Sequence, residues 1–207
     1  MDWATVSALA TALGTLVLAL ATFASVRSAN RSARTAERAL LFNLRPLVFP
    51  SRLQDPAQKV TWFDQRMHRL DGGHGVADAT DTAVYLAISL RNVGAGMAVL
   101  QAWYPWSDLS EVRTGPQPRE AFRQLTRDLY IAPNDIGFWQ GAIRDRSDVM
   151  FAPMVATIKA REPFAVDVLY FNAEGGQRTI SRFTFLPAGD EGWLCTVGRH
   201  FGQDLPR

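Results

Sequence analysis

Three histidines, one cysteine and a scatter of carboxylates are the residues of this 207-residue chain that have the chemistry for metal binding or catalysis. His68, His74 and His200 stand in no H-E-x-x-H or paired-cysteine spacing, so nothing local brings two ligands to one ion. Cys195 lies in the apolar run Trp193-Leu194-Cys195, which predicts a buried and inert thiol. Asp145 and Asp148 fall in a polar loop but lack the remaining ligands of a calcium loop. Gly94-x-Gly96 begins like a dinucleotide-binding turn. Val99, however, stands where the third glycine belongs, and a strand follows where a helix is required. A nucleophile elbow and a phosphate-binding P-loop are both missing from the sequence. The reading is therefore of a non-enzymatic chain with no cofactor, no metal and no catalytic residue assigned.

Two other groups have the residue types for binding. Trp103-Tyr104-Pro105-Trp106, together with Trp139, could line a ligand pocket or a protein interface, where Trp and Tyr concentrate binding energy. The same rings could instead fill the core of a strand-rich domain. Arg27, Arg31, Arg34 and Arg38 recur at helical spacing, with Ala29, Ala33, Ala36 and Leu40 nearly opposite. Such a stripe can contact anionic lipid headgroups at about 1 kcal/mol per basic residue near the surface. It can equally be the positive flank that fixes a membrane span's orientation.

The element that would position those arginines is Trp3 to Val26, twenty-four uncharged residues between Asp2 and Arg27. A bilayer core of about 30 Å needs roughly 20 helical residues, so residues 1–26 read as a transmembrane anchor. A cleavable signal peptide is the competing reading, since Thr22-Phe23-Ala24 resembles a cleavage site. Such peptides open on a basic segment and carry about 7–15 apolar residues, which this chain does not match. Residues 27–52 hold six arginines opposed only by Glu37, which predicts the N-terminus outside and the C-terminal domain in the cytoplasm. Arginine as 20 of the 22 basic residues, with the abundant alanine, points to a GC-rich bacterial genome and so to a bacterial inner membrane. Ala4, Ala8 and Ala12, with Ala10 and Gly14, form small-xxx-small rows that would suit a homo-oligomer or partner helix. The basic arm, residues 27–45, is expected to prolong the membrane helix until Pro46 stops it.

Residues 46–200 read as one domain, with 201–207 a tail. From Leu53 onward 16 basic residues face 18 acidic ones, a balance that argues against nucleic acid. Leu47 to Phe49 between two prolines predicts an edge strand. Val84 to Arg91 alternates apolar and polar residues as a half-buried strand does. Val60 to His68, Met97 to Trp106, Ile136 to Ile143 and Trp193 to Val197 read as further strands, and Asp71 to Asp81 as a polar loop. Phe164 to Tyr170 and Thr179 to Leu186 read as a hairpin about Asn172-Ala173-Glu174-Gly175-Gly176. Phe122, Leu125 and Leu129 predict a short amphipathic helix, and Met154 to Ala160 a second turn or helix. The fold class is thus mainly β: a transmembrane helix with a juxtamembrane extension, then an immunoglobulin-like β-sandwich with one or two short helices.

Arg45-Pro46-Leu47-Val48 after an anchor and arm, and the strand–turn–strand Leu90-Arg91-Asn92-Val93-Gly94-Ala95-Gly96-Met97-Ala98, resemble a loose group of bacterial single-span membrane proteins with a cytoplasmic immunoglobulin-like β-sandwich. Met97 stands where that group often has proline. The resemblance implies architecture and brings no catalytic residues with it. The expected role is a membrane-anchored interaction module binding a protein partner or membrane-complex subunit, the alternative being a small-ligand sensor with an aromatic-lined pocket.

Overall fold

A computed structural model describes residues 2–110, 112, 115–189 and 192–203, with the side chains of Arg38 and of residues 41–43 left outside the description. The chain divides into two compact units, Met1–Asn43 and Leu44–Arg207. The first is a single helix, α1 (Trp3–Asn43), within which Trp3–Glu37 is long and apolar enough to cross a bilayer. As the sequence predicts, helix runs unbroken from the apolar segment through the arginine stripe. Ser7, Thr11, Thr15 and Thr22 turn their hydroxyls back onto carbonyls three or four residues earlier, at 2.8–2.9 Å, so these polar groups are satisfied within the helix.

The second unit is mainly β. Its elements are β1 (Val48–Pro50), β2 (Gln58–Thr61), β3 (Met67–Leu70), β4 (His74–Ala79), β5 (Val84–Asn92), β6 (Ala98–Trp106), β7 (Arg123–Ile131), β8 (Ile136–Ile143), α2 (Phe151–Lys159), β9 (Phe164–Phe171), β10 (Thr179–Ala188) and β11 (Gly192–Gly202). Nine strands form one antiparallel sheet, ordered β1-β5-β4-β11-β10-β9-β6-β7 with β8 on the other edge of β5. The sheet curls until its ends, β7 and β8, lie beside each other without pairing. Two parts of one curled sheet thus face each other across a shared core, as the sandwich reading requires of its two layers. The inward faces of β5 (Val84, Leu86, Ile88, Leu90) and β9 (Phe164, Val166, Val168, Tyr170) fill that core, and α2 adds Phe151, Met154 and Ile158.

The separate β2–β3 hairpin covers the outer face of β5. Val60, Trp62 and Leu70 pack there on Ala83, Tyr85 and Ala87, which explains why both faces of β5 are buried. Hairpin side chains also reach the open edge of β8: Gln58 Nε2 donates to the Gly137 carbonyl at 2.8 Å and Trp62 Nε1 to the Gly141 carbonyl at 3.1 Å. Asn92 holds the turn after β5. Its side chain is buried, accepts from the amides of Leu47 and Gly94 and donates to the carbonyls of Gly96 and Ile131. Gly94 and Gly96 have no left-handed backbone, contrary to the role their position in a turn implies. A Cβ on Gly96 would stand 1.7 Å from the Leu44 carbonyl oxygen, and one on Gly94 2.3 Å from that of Arg45, so close approach of the incoming chain selects glycine here.

Several local expectations are corrected. Phe122, Leu125 and Leu129 belong to no helix: a 3-10 turn (Arg119–Ala121) leads into strand β7. A four-residue spacing suits a strand as well as a helix, and Phe122 packs with Ala102, Leu169 and Ile180 in a different cluster from the two leucines. Val60 to His68 is a hairpin with its turn at residues 62–66, where Gln65 takes φ 65°. The polar loop from Asp71 ends at Gly73, and His74–Ala79 forms β4 because both of its neighbours, β5 and β11, are there to pair it. The final strand reaches Gly202, taking Phe201 out of the expected tail, while 204–207 fall outside the described residues.

Candidate functional site

The arginine stripe is a regular feature of α1. Arg27, Arg31 and Arg34 are exposed, and among the described residues no carboxylate lies within ion-pair distance of them. The Arg38 side chain is outside the described set. Like charges at i, i+4 repel by about a few tenths of a kcal/mol per pair.

The aromatic candidates part company. Trp103, Trp106 and Trp139 are all buried, and Tyr104 is half-buried. Trp103 and Trp139 meet edge to face at 5.2 Å inside the main core, an arrangement that ring quadrupoles favour. The cavity beside Trp103, between β7 and β8, is only about 50 Å³, room for a few waters and too little for a ligand that aromatic walls would select. These rings therefore build the domain. Tyr104 packs with Trp106 and Phe122 on the outer face of the sheet.

Trp106 has a second duty. Asp167 and Arg182 are buried, and Arg182 grips both carboxylate oxygens with Nε at 2.6 Å and Nη2 at 2.7 Å. Its guanidinium lies 4.8 Å from the Trp106 ring centre and also donates to the carbonyls of Val112 and Gly115. Burial pushes the Asp167 carboxyl up, against the pull of Arg182. One buried arginine thereby ties Val112 and Gly115 to β9 and β10. Asp167 and Arg182 lie in strands buried along both faces, where each charge requires a partner.

The histidines occupy separate surroundings. His74 Nδ1 sits 2.7 Å from the Gly72 carbonyl. His68 lies beside Arg66 and Asp78 and meets the Trp62 ring edge-on at 5.5 Å. Arg66 pairs with Asp78 and stacks 4.9 Å over Tyr85, whose hydroxyl donates to Asp64 and holds that carboxyl below its ordinary value. This polar network borders a groove of about 810 Å³ that includes His68, Asp78, Ile158, Arg161 and Trp193 in its walls. Among the described residues no three His, Cys, Asp or Glu side chains converge on a metal position.

His200 completes a chain that no sequence spacing announces. The Val48 amide donates to the Tyr170 hydroxyl at 3.3 Å, Tyr170 meets Ser181 Oγ at 2.8 Å, and Ser181 meets His200 Nδ1 at 2.6 Å. Burial, helped by Arg45, pulls the His200 pKa down. Ser181 is fully buried, with Tyr170 where a nucleophilic triad would need an open face. Cys195 is buried, and desolvation raises its pKa strongly, which keeps the thiol protonated and unreactive. Asp148 is engaged by Arg123 at 2.6 Å, and Asp145 accepts from the backbone and side chain of Ser147. Comparison with protein-family models, with curated proteins and with solved structures returned no match.

Proposed function

We propose that this chain is a membrane-anchored, non-enzymatic interaction module whose β domain stands on the cytoplasmic side of a bacterial inner membrane and binds a protein partner or a membrane-complex subunit there. The observation carrying the proposal is the unbroken run of α1 from an uncharged segment into an exposed arginine stripe, followed by a mainly β unit. Positive charge close to a span is retained in the cytoplasm, which supports the orientation. The strand–turn–strand about Asn92 and the facing layers of the sheet support kinship with immunoglobulin-like domains. Twenty of the 22 basic residues are arginine, in keeping with a GC-rich bacterial source. Dense packing of Trp103 and Trp139 favours partner binding over small-ligand sensing.

Two measurements test this. A C-terminal fusion to green fluorescent protein should fluoresce while the matching alkaline phosphatase fusion stays inactive; the reverse pattern overturns the orientation. From membranes solubilised in mild detergent, the chain should migrate as a complex with a stoichiometric second polypeptide or a second copy. A single protomer accompanied only by lipid overturns the interaction role.

A further inference from the structure

The apolar and basic faces of α1 are one face. Leu9, Leu13, Leu16, Leu20 and Phe23 follow one another at steps of three or four residues, and the next steps land on Arg27, Arg31 and Arg34. At about 100° per residue this is a continuous stripe along the helix. Every residue on it is exposed, Leu9 to Phe23 by 56–68%. Ala4, Ala8, Thr11, Thr15, Thr22, Ala29, Ala33 and Ala36 occupy the other side. At the junction, Phe23, Val26, Arg27, Asn30, Arg31 and Arg34 line a single depression of the helix surface.

The geometry points to a binding site for one anionic phospholipid on this flank, resting on the anchor reading above. The acyl chains lie along Leu16, Leu20 and Phe23, and the phosphate is held among Arg27, Asn30, Arg31 and Arg34. Three physical facts favour that occupant. The apolar track leads directly into the cationic one, as the two ends of a phospholipid require. The three arginines have no carboxylate partner among the described residues, so their mutual repulsion is relieved by an anion. Side chains on a helix lean toward its N-terminus, which here is the side of the span, so Arg31 and Arg34 reach back toward the headgroups. Reach also limits the site. Arg34 lies about 10 Å along the axis from Arg27 and Arg38 about 17 Å, whereas a headgroup layer is about 5–8 Å thick. The backward lean of its side chain brings Arg34 within that layer but leaves Arg38 beyond it, so the site uses three of the four arginines.

The test uses the full chain in nanodiscs of phosphatidylglycerol and phosphatidylcholine at equal amounts, with retained lipids counted by native mass spectrometry. The expected result is retention of phosphatidylglycerol over phosphatidylcholine by about fivefold or more. R27Q/R31Q/R34Q should bring the ratio close to one, R27K/R31K/R34K should keep most of it, and R38Q should leave it unchanged. Retention of both lipids at their bulk ratio by the wild-type chain overturns the site, as does a preference that survives the triple glutamine change. Resistance to alkaline carbonate, measured on the same chain in vesicles, separates the two readings. An inserted chain without lipid preference loses the phospholipid site alone; a chain that carbonate extracts loses the anchor and the site together.

Discussion

Helix α1 and the β unit solve opposite problems with the same kinds of side chain. In α1, Leu13 and Leu16 are 56% and 57% exposed, and Phe23 68%. In the β unit Leu86, Leu90 and Trp139 are at 0%. A strand-rich unit buries its rings by curling one sheet over a common core; a lone helix has only one layer and must borrow its second from the surroundings. The difference teaches that hydrophobicity alone does not assign a role: the unbroken length of the apolar run and the charges at its ends do.

That contrast can be broken from either side. Trp139→Ala opens a large hole against Trp103 and should cost the β unit about 3–5 kcal/mol by chemical denaturation, while membrane association of α1 is unchanged. Loss of membrane association in that variant would show the two units to be interdependent. Arg182→Met leaves the Asp167 carboxylate buried without its partner and should cost a similar 3–5 kcal/mol, whereas the double change Arg182→Met with Asp167→Leu should recover most of it. Failure of the double change to recover would mean that the hydrogen bonds to Val112 and Gly115 matter more than the ion pair. From the other side, Leu16→Arg places a charge in the middle of the apolar run at about 2.5–3.5 kcal/mol against insertion, and should move the chain out of the membrane fraction with the β unit still folded.

The smallest effect is on pH. His200 has a lowered pKa in the folded chain, so the unfolded chain binds more protons once pH falls below about 6.5. Its contribution to stability is present above that value and declines as pH falls toward the folded pKa. His200→Gln should flatten the denaturation midpoint between pH 7 and pH 5; an unchanged slope would remove His200 from the account.

Much of this architecture is legible in the sequence where period and length agree. The alternation in β5 and β9, the hairpin about Asn172 to Gly176, and the run of α1 into the arginine stripe follow from local pattern. What escapes is set by distant partners. β4 carries Ala77, Asp78 and Ala79, residues with poor strand preference, and is a strand because β5 and β11 flank it. The β2–β3 turn has no glycine or proline to announce it, since Gln65 takes the positive φ. Leu125 and Leu129 sit at a spacing that two periodicities share. For the candidate sites, the arginine stripe was readable because a helix repeats. The Arg182–Asp167 pair and the Tyr170–Ser181–His200 chain join residues whose meeting depends on register across the β9–β10–β11 ladder. The aromatic cluster was ambiguous in sequence because a core and a pocket ask for the same rings.

The side chains of Gln58 and Trp62 on the carbonyls of Gly137 and Gly141 have a consequence for crowding. Copies confined to a surface meet far more often than copies in bulk, and an open strand edge offers a template on which neighbours can zip together. An amide and an indole, four residues apart on the hairpin, occupy two carbonyls on β8 that are themselves four residues apart, and so remove two acceptors from that edge. The same hairpin that shields one face of β5 thus also occupies part of the β8 edge.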